Sequence, residues 1–261
     1  MHTEQQRFLQ AIRDSEVIHA PFPHASIDGG LSEAFLQTLY AHLPAPQEFN
    51  DEGYGLKTFQ IWDESEELLN WRPAERRFWQ DCNAALFSEE VAEAIHTLFR
   101  PAMENLYRDL FSDPESQLAR VELQPWSTSG ALNIRAPGNC LPTHMDWPNR
   151  LYSLILYLDP DQHYQEDWGT RLFHGPKICG PQGVEVMAKR AKDHVRDCTA
   201  EASTLVPFKP GRVTIFMNTP WSYHGANVTA NAAGSRWCLV KGINMTLAAT
   251  EQLFGLPPEL R

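Results

Sequence analysis

The first 115 residues carry apolar positions mainly at helical spacing. Residues 3–13 and 31–43 each place their apolar side chains on one stripe, which predicts two amphipathic helices. Residues 17–27 alternate and contain two prolines, a pattern that suits an edge strand or an extended segment. A longer helical tract over 88–110 is expected to be interrupted near Pro101, because proline removes a backbone donor. The first part of the chain is therefore predicted to be a helical layer with one early strand.

From about residue 118 to 247 the pattern changes to short apolar runs separated by Gly and Pro turns. The predicted strands cover 119–126, 130–136, 150–158, 169–174, 203–208, 212–217 and 236–246. Many short strands at this spacing predict a sandwich or open barrel, with the helices packed on one face. Residues 183–198 instead predict a polar helix within an insertion, 175–202, which is either a candidate lid or a solvated surface helix.

The length of 261 residues suits one large domain, because barrel folds often use this length for a single unit. We expect one domain over 1–261, with a mainly helical flank at 1–115 and a β core at 118–247. The fold class is thus predicted to be mainly β with flanking helices.

Composition and charge narrow the classes of partner. The net charge of -11 opposes binding to a nucleic acid over most of the surface. No apolar stretch reaches the roughly 18 to 20 residues that a membrane span needs. The N-terminus lacks a signal-peptide pattern, so a cytoplasmic location is expected. We expect a small-molecule substrate, no nucleic-acid or membrane partner, and a monomer or homodimer.

The cysteines are scattered, odd in number and never arranged as CxxC. They are Cys82, Cys140, Cys179, Cys198 and Cys238. This arrangement predicts free, buried thiols rather than a disulfide framework or a zinc–thiolate site.

The chemistry of the sequence centres on the tripeptide His144-Met145-Asp146. Residues two apart in an extended segment project to one face, so His144 and Asp146 can reach one metal ion. His224, which follows a predicted strand, is the best third ligand. Two imidazoles and a carboxylate suit Fe(II) with open coordination positions. Zinc hydrolases use similar sets, but the HExxH helix signature is absent here.

Five segments between Leu132 and Asn244 carry a resemblance to a known family. In order they are LNIRAPG (132–138), LPTHMD (141–146), SLILYL (153–158), WGTRLF (168–173) and KPGRVTIF (209–216), followed by His224-Gly225 and Arg236. This series resembles the prolyl-4-hydroxylase-like and phytanoyl-CoA-hydroxylase-like branches of the 2-oxoglutarate/Fe(II) dioxygenases. The resemblance implies a double-stranded β-helix (a jelly-roll, cupin-like barrel), Fe(II), 2-oxoglutarate as cosubstrate, and O2.

The resemblance also implies a cation for the far carboxylate of 2-oxoglutarate. Arg236 is the first choice, because a guanidinium grips a carboxylate with two parallel hydrogen bonds. Lys241 is the alternative. It lies on the opposite face of the predicted strand, so only one of the two is expected to serve.

Several further residues are candidates for the cosubstrate or substrate. Arg135 stands where relatives often have Tyr, and either contacts the cosubstrate's C1 carboxylate, reaches an acidic substrate or faces solvent. Asn133 shares its strand face. Tyr157 and Thr170 are cosubstrate-side hydroxyls or core residues. Aromatic side chains next to the motifs either wall the substrate pocket or belong to the core; they are Trp147, Trp168, Trp221 and Tyr223.

The expected reaction is hydroxylation of an unactivated C–H bond in a small molecule, such as an amino acid or natural-product intermediate. Halogenating relatives replace the carboxylate ligand by a small residue, whereas this chain keeps Asp146. A protein-residue hydroxylase of the prolyl type is the alternative within the family. A cupin-like metal-binding protein that is not an oxygenase is the alternative outside it, and it has no use for Arg236.

Overall fold

Two antiparallel β-sheets form the centre of the fold and helices cover one side. The computed structural model describes residues 1–53, 55–119, 121, 123–124, 130–146, 149–175 and 204–245. The predicted helix at 183–198 and the candidate Trp147 lie outside the described residues.

The helices are α1 (His2–Arg13), α2 (Glu33–Ala41), α3 (Glu66–Leu69), α4 (Pro73–Leu86), α5 (Glu89–Leu110) and α6 (Pro114–Leu118), with short 3-10 helices at Pro46–Glu48 and Glu166–Trp168. The strands are β1 (His24–Ile27), β2 (Asn50–Gly53), β3 (Leu56–Gln60), β4 (Leu123–Gln124), β5 (Ala131–Arg135), β6 (Cys140–His144), β7 (Arg150–Leu158), β8 (Thr170–Phe173), β9 (Thr204–Val206), β10 (Val213–Met217), β11 (Tyr223–Asn227) and β12 (Arg236–Met245).

The larger sheet has the strand order β1-β10-β7-β12-β5-β3-β2, with β4 paired to β12, and the smaller has the order β6-β11-β8-β9. Strand β12 is central to the larger sheet because it pairs with β7, β5 and β4. The edge position of β1 agrees with the prediction from its two preceding prolines.

The two faces of the larger sheet bury different cores. Along β12, Trp237 and Leu239 belong to the apolar cluster that includes the buried faces of α1, α4 and α5. Cys238 belongs to a second cluster, which joins Tyr157 of β7 to Leu172 of the smaller sheet. Because side chains alternate along a strand, β12 packs against the helices on one face and the facing sheet on the other. The space between the sheets is where the site lies.

Helix α5 differs from its prediction, because it runs through Pro101 without a break. Its buried residues continue in helical register on both sides of the proline, from Ile95 and Phe99 to Ala102 and Leu106. An interior proline costs about 3 kcal/mol. Burial of this long apolar face against the sheet outweighs that cost.

Other elements were missed or shortened in the prediction. The predicted strand 119–126 is described as strand only at Leu123–Gln124, and Ala119 instead caps α6. The strands β2, β3, β6 and β11 and the helices α3, α4 and α6 were not predicted. Strand β2 is fully exposed with the sequence NDEG, so no apolar alternation marks it.

The prediction for the cysteines holds in part. Cys82 and Cys238 are free and buried, whereas Cys140 is disulfide-bonded, so the prediction of free thiols is wrong for Cys140. No helix in the described part of the chain has the length and hydropathy that crossing a membrane requires.

An ion-pair cluster fixes the end of β1 to the turn before β10. Asp28 accepts hydrogen bonds from Arg212 Nε at 2.8 Å, Arg212 Nη2 at 2.8 Å and Lys209 Nζ at 3.0 Å. The hydrogen bonds from Arg212, reinforced by Lys209 and only partly opposed by burial, lower the pKa of Asp28 from 3.8 to about 2. The carboxylate therefore stabilises the folded state above its ordinary pKa.

Replacing Asp28 by Asn is expected to cost less than about 1 kcal/mol of unfolding free energy at pH 7, because the side chain is 42% exposed and solvent screens the pair. Since the folded-state pKa is lowered, the contribution is complete above about pH 4 and is lost as the pH falls towards 2. Urea unfolding of both proteins across this range measures the difference. A difference that persisted at pH 2 would contradict this origin.

Candidate metal centre and its surroundings

Three predicted ligands come together between the two sheets. His144 ends β6 and lies directly opposite His224 of β11. Asp146 Oδ1 is 4.0 Å from His144 Nε2 and 3.7 Å from His224 Nε2, and all three ligand atoms lie within 4.8 Å of one another. Next to His224, a Cβ on Gly225 would lie 2.7 Å from Leu141 O, so glycine permits this close approach of β11 to β6.

Backbone carbonyls orient both imidazole rings. His144 Nδ1 donates to Pro142 O at 2.8 Å, and His224 Nδ1 donates to Ser222 O at 3.0 Å. A carbonyl oxygen can only accept, so each Nδ1 carries a proton, and Nε2 is the nitrogen that each ring leaves for a metal. These are the two nitrogen atoms that face Asp146.

The carboxylate of Asp146 is oriented in the same way. The Ser153 hydroxyl donates to Asp146 Oδ2, which leaves Oδ1 facing both imidazoles. Burial alone would raise the pKa of Asp146. The attraction of His224, Arg150 and His144, together with the Ser153 hydrogen bond, has a larger opposite effect, so the pKa lies below its ordinary value. Asp146 is therefore ionised at neutral pH.

The protonation state of His144 also suits a metal. Burial, followed by the neighbouring His224, lowers the pKa of His144 from 6.5 to about 3. The ring is neutral at physiological pH, and metal binding does not have to displace a proton from it.

Replacing Ser153 by Ala is expected to weaken metal binding by about 10- to 100-fold, the range found when partners of metal ligands are removed. The reason is that Asp146 loses the hydrogen bond that fixes its carboxylate. Titration with Co(II), read by calorimetry, measures the dissociation constant. Ser26→Ala, at an exposed position in β1, is the matched control. An unchanged constant in Ser153→Ala would show that Asp146 needs no such support.

Further between the sheets, Arg236 lies buried with 5% of its surface exposed. Its Nε donates to Trp168 O at 2.6 Å, and the guanidinium carbon is 5.6 Å from the centroid of the Tyr157 ring. Nη1 and Nη2 have no hydrogen-bond partner among the described residues. Both terminal nitrogens are thus available to a ligand.

A hydroxyl network holds the Tyr157 ring in place. The Tyr157 hydroxyl is 2.7 Å from Thr170 Oγ1, 3.0 Å from Thr170 N and 3.2 Å from Thr214 Oγ1. A phenol donates once, so it donates to Thr170 Oγ1 and accepts from the other two groups. Burial raises the pKa of Tyr157. The network positions the ring beside Arg236, while a contact of Tyr157 or Thr170 with a cosubstrate stays a prediction.

Arg135 and Asn133 lie on the same sheet face as Arg236. Arg135 is in register with Arg236 across the β5–β12 pair and is 7% exposed. Its Nη1 lies 3.5 Å from Cys140 O. Asn133 Oδ1 is buried and has no hydrogen-bond partner within the described ranges. Of the three outcomes that the sequence left open for Arg135, its burial argues against a solvent-facing side chain.

The remaining candidates occupy different places. Trp168 is 1% exposed within the inter-sheet cluster, and its Nε1 has no partner in the described part of the chain. Trp221 packs, half-buried, against both apolar clusters. Lys241 is buried on the helix-facing side of β12, with Nζ 4.9 Å from the Phe87 ring centroid. Arg236 and Lys241 therefore lie on opposite faces, as the alternation predicted.

Sequence reasoning missed two residues of the site, Ser153 and Arg150. Both lie in β7, where the only local signal for Ser153 is a polar residue inside the apolar run YSLILYL. Arg150 reaches across β12, since a Cβ on Gly242 would overlap its guanidinium. The roles of both depend on contacts between strands, which a sequence pattern does not show.

Comparison with known proteins identifies the fold. No protein-family profile and no curated protein matches the chain. A crystal structure of an oxidoreductase of the 2OG-Fe(II) oxygenase family from Burkholderia pseudomallei matches with a TM-score of 0.50 and 12% identity, over 92% of this chain and 89% of that one. A prolyl 4-hydroxylase from Phytophthora capsici matches with a TM-score of 0.51 and 17% identity, over 93% and 65%.

A Pseudomonas putida prolyl-4-hydroxylase matches with a TM-score of 0.49 and 14% identity, over 92% of this chain and 99% of that one. The likeness to the Burkholderia and Phytophthora structures shows that the chain shares their fold. The predicted fold class, mainly β with flanking helices, is confirmed.

Proposed function

We propose that this chain, which has the fold of the 2-oxoglutarate/Fe(II) oxygenases, is an iron- and 2-oxoglutarate-dependent hydroxylase of a small molecule. The observation that carries the proposal is the convergence of His144 Nε2, His224 Nε2 and Asp146 Oδ1 on one point between the sheets. Each of these groups uses its other polar atom to fix its orientation.

The donor set fits Fe(II). Two neutral imidazoles and one carboxylate form a facial set that leaves coordination positions open. Bound there, Fe(II) would supply the oxidative chemistry that converts 2-oxoglutarate, O2 and a substrate C–H bond into succinate, carbon dioxide and an alcohol. The protein's part is to keep the His144 ring neutral, which burial does, and Asp146 ionised, which the neighbouring charges and the Ser153 hydrogen bond do.

Arg236 supports the choice of a keto diacid as cosubstrate. Its terminal nitrogens are free of hydrogen bonds to the described residues, and its Nε is held by Trp168 O. A guanidinium fixed in this way can bind a carboxylate with two parallel hydrogen bonds. Lys241 cannot replace it, since it lies on the other face of β12 against Phe87.

The retained carboxylate favours hydroxylation. Asp146 is present and is held by Ser153, so the position that a halide takes in halogenating relatives is filled by a protein ligand. The inter-sheet cluster around Phe216 and Tyr157 is apolar, and Phe216 contacts the ring of His224.

Arg150 supports a substrate that carries an anionic group. Its guanidinium lies across β12 at Gly242, whose strand partner is Ser153, and its charge is felt at Asp146. Gly242 is six residues from Arg236 along β12, about 20 Å at the rise of a strand. A cation near the metal ligands and far from Arg236 suits the carboxylate of an amino acid or a related small molecule.

The proposal is tested by succinate formation from 2-oxoglutarate with Fe(II), measured against a panel of amino acids, natural-product intermediates and proline-containing peptides. We expect turnover to rise with a carboxylate-bearing small molecule. Stimulation only by a peptide would replace the proposed substrate with a protein residue. A protein that binds Fe(II) but never consumes 2-oxoglutarate would be a metal-binding protein of another class.

Gly242→Ala is expected to displace the Arg150 guanidinium, because the new Cβ would overlap it. With the substrate that the panel identifies, KM should rise about 10-fold or more, since a hydrogen bond to a charged group contributes about 1.5–3 kcal/mol. The KM for 2-oxoglutarate should change little, because Arg236 is distant. Arg150→Gln should reproduce the effect, and a rise confined to the KM for 2-oxoglutarate would contradict the assignment.

A further inference from the structure

Arg135 and Arg236 are a pair of like charges placed side by side inside the protein. They are directly opposite in the antiparallel register of β5 and β12, where Cβ atoms lie about 4.5–5.5 Å apart. Both are more than nine-tenths buried. Both belong to the sheet face that carries Tyr157, since Cys238, two residues after Arg236, is the partner of Tyr157.

This pair has no acidic partner in the part of the chain that the structure describes. The ion pairs found there involve other cations, such as Arg212 and Arg72. Arg135 and Arg236 are held instead by one backbone carbonyl each, Cys140 O and Trp168 O. Burial, followed by repulsion from Arg236, lowers the pKa of Arg135 to about 10. Two buried like charges without a counterion are unfavourable, and an anion between them would relieve both.

Their place in the fold indicates which anion. Arg236 lies over the ring of Tyr157, which is four residues from Ser153 along β7, or about 13 Å at the rise of a strand. Ser153 is bonded to the metal ligand Asp146. Arg135, in register with Arg236, is thus in the same part of the cavity, where the far carboxylate of a diacid bound at the metal would lie.

We infer that Arg135 and Arg236 together bind one carboxylate, the far carboxylate of the dicarboxylate cosubstrate, with Arg135 as a positioning residue. This inference rests on the proposed function. It assigns Arg135 to the distal end of the cosubstrate rather than to its metal-side carboxylate or to the substrate. It also means that the protein binds dicarboxylates without a metal, including succinate, which keeps the same distal carboxylate after turnover.

The test uses two probes that separate the two ends of the cosubstrate. Succinate is titrated into metal-free protein and oxalate, which binds through a metal, into Co(II)-loaded protein, both by calorimetry. In Arg135→Met we expect the dissociation constant of succinate to rise at least 10-fold and that of oxalate to stay within twofold. Lys241→Met removes a buried cation from the other face of β12 and should leave the succinate constant within twofold.

A second measurement guards against a variant that is merely unstable. Without anion, Arg135→Met should melt no lower than the wild type, because it relieves the repulsion, and succinate should raise its melting temperature less. Arg135→Lys, which keeps the charge but loses the planar fork, should give an intermediate succinate affinity. A lower melting temperature with an unchanged succinate increment would assign Arg135 a structural role and overturn the inference.

The outcomes also separate this inference from the proposed function. If succinate affinity in Arg135→Met is unchanged, or if oxalate affinity falls instead, the two-arginine assignment fails while the oxygenase proposal stands. If the wild type binds neither Co(II) at His144 nor 2-oxoglutarate, both fail.

Discussion

Replacing His144 by Ala is expected to reduce Fe(II)-dependent formation of succinate from 2-oxoglutarate by more than about 100-fold. Partners that only orient a metal ligand contribute about 10- to 100-fold, so loss of the ligand itself should exceed that range. His144 supplies one of the three donor atoms and shares the site with His224, 4.3 Å away between ring centroids. The measurement is succinate released per enzyme at saturating iron.

His19→Ala, at an exposed position outside the site, is the matched control and should retain wild-type turnover. Co(II) titration of His144→Ala should show a parallel loss of metal affinity. Succinate formation that survived the loss of His144 would rule out the proposed centre, whatever the substrate proves to be.

Replacing Arg236 by Met is expected to raise the dissociation constant of 2-oxoglutarate by about 30-fold to several thousand-fold. Removing one partner of a buried, hydrogen-bonded charge pair costs about 2–5 kcal/mol. Arg236 is 5% exposed, and its terminal nitrogens have no partner in the described ranges, so a bound carboxylate would depend on it strongly. Calorimetric titration of the Co(II)-loaded protein with 2-oxoglutarate measures the change.

Arg236→Lys separates charge from geometry. It keeps a cation but loses the fork that binds a carboxylate through two hydrogen bonds, so a smaller loss of affinity is expected. Lys241→Met should bind 2-oxoglutarate as the wild type does. Equal losses of 2-oxoglutarate affinity in Arg236→Met and Lys241→Met would contradict binding of the cosubstrate on the Arg236 face of β12.

The arrangement of the metal ligands was predictable because most of it is local. His144 and Asp146 are two residues apart, and the series of segments from 132 to 236 supplied the third ligand, His224, and the cation, Arg236. The structure brings the three ligand atoms together. The outer partners were not predictable. Ser153 reaches Asp146 from a neighbouring strand, and its sequence context is that of a core strand.

The fold was predictable where the side-chain pattern is strong. Strands β7 and β10 are almost wholly buried and were found with nearly correct bounds. Strands β6 and β11 were missed because one contains Pro142 and the other carries the sequence YHGAN, so neither shows a run of apolar alternation. The break expected at Pro101 was wrong because a local preference was weighed without the packing of the whole helix.

The neighbourhood of Arg135 shows the limit of sequence reasoning most directly. The sequence placed Arg135 and Asn133 on one strand face, and the structure agrees. It could not show that Arg236 stands opposite Arg135, because that pairing joins residues about 100 positions apart. Because the two arginines form a buried pair, a different role is expected for each of them. The pairing is visible only from the register of β5 and β12.

The alternation of β12 has a consequence for how the chain finds its pairing during folding. Arg236 faces the neighbouring sheet, whereas Trp237 and Leu239 face the helices. A shift of one residue would exchange the two faces and push Arg236 into the apolar helix layer, while Trp237 would enter the cavity. Mispaired forms of β12 would therefore be much less stable than the native pairing. Arg236, the residue assigned to the cosubstrate, thus also disfavours misfolding.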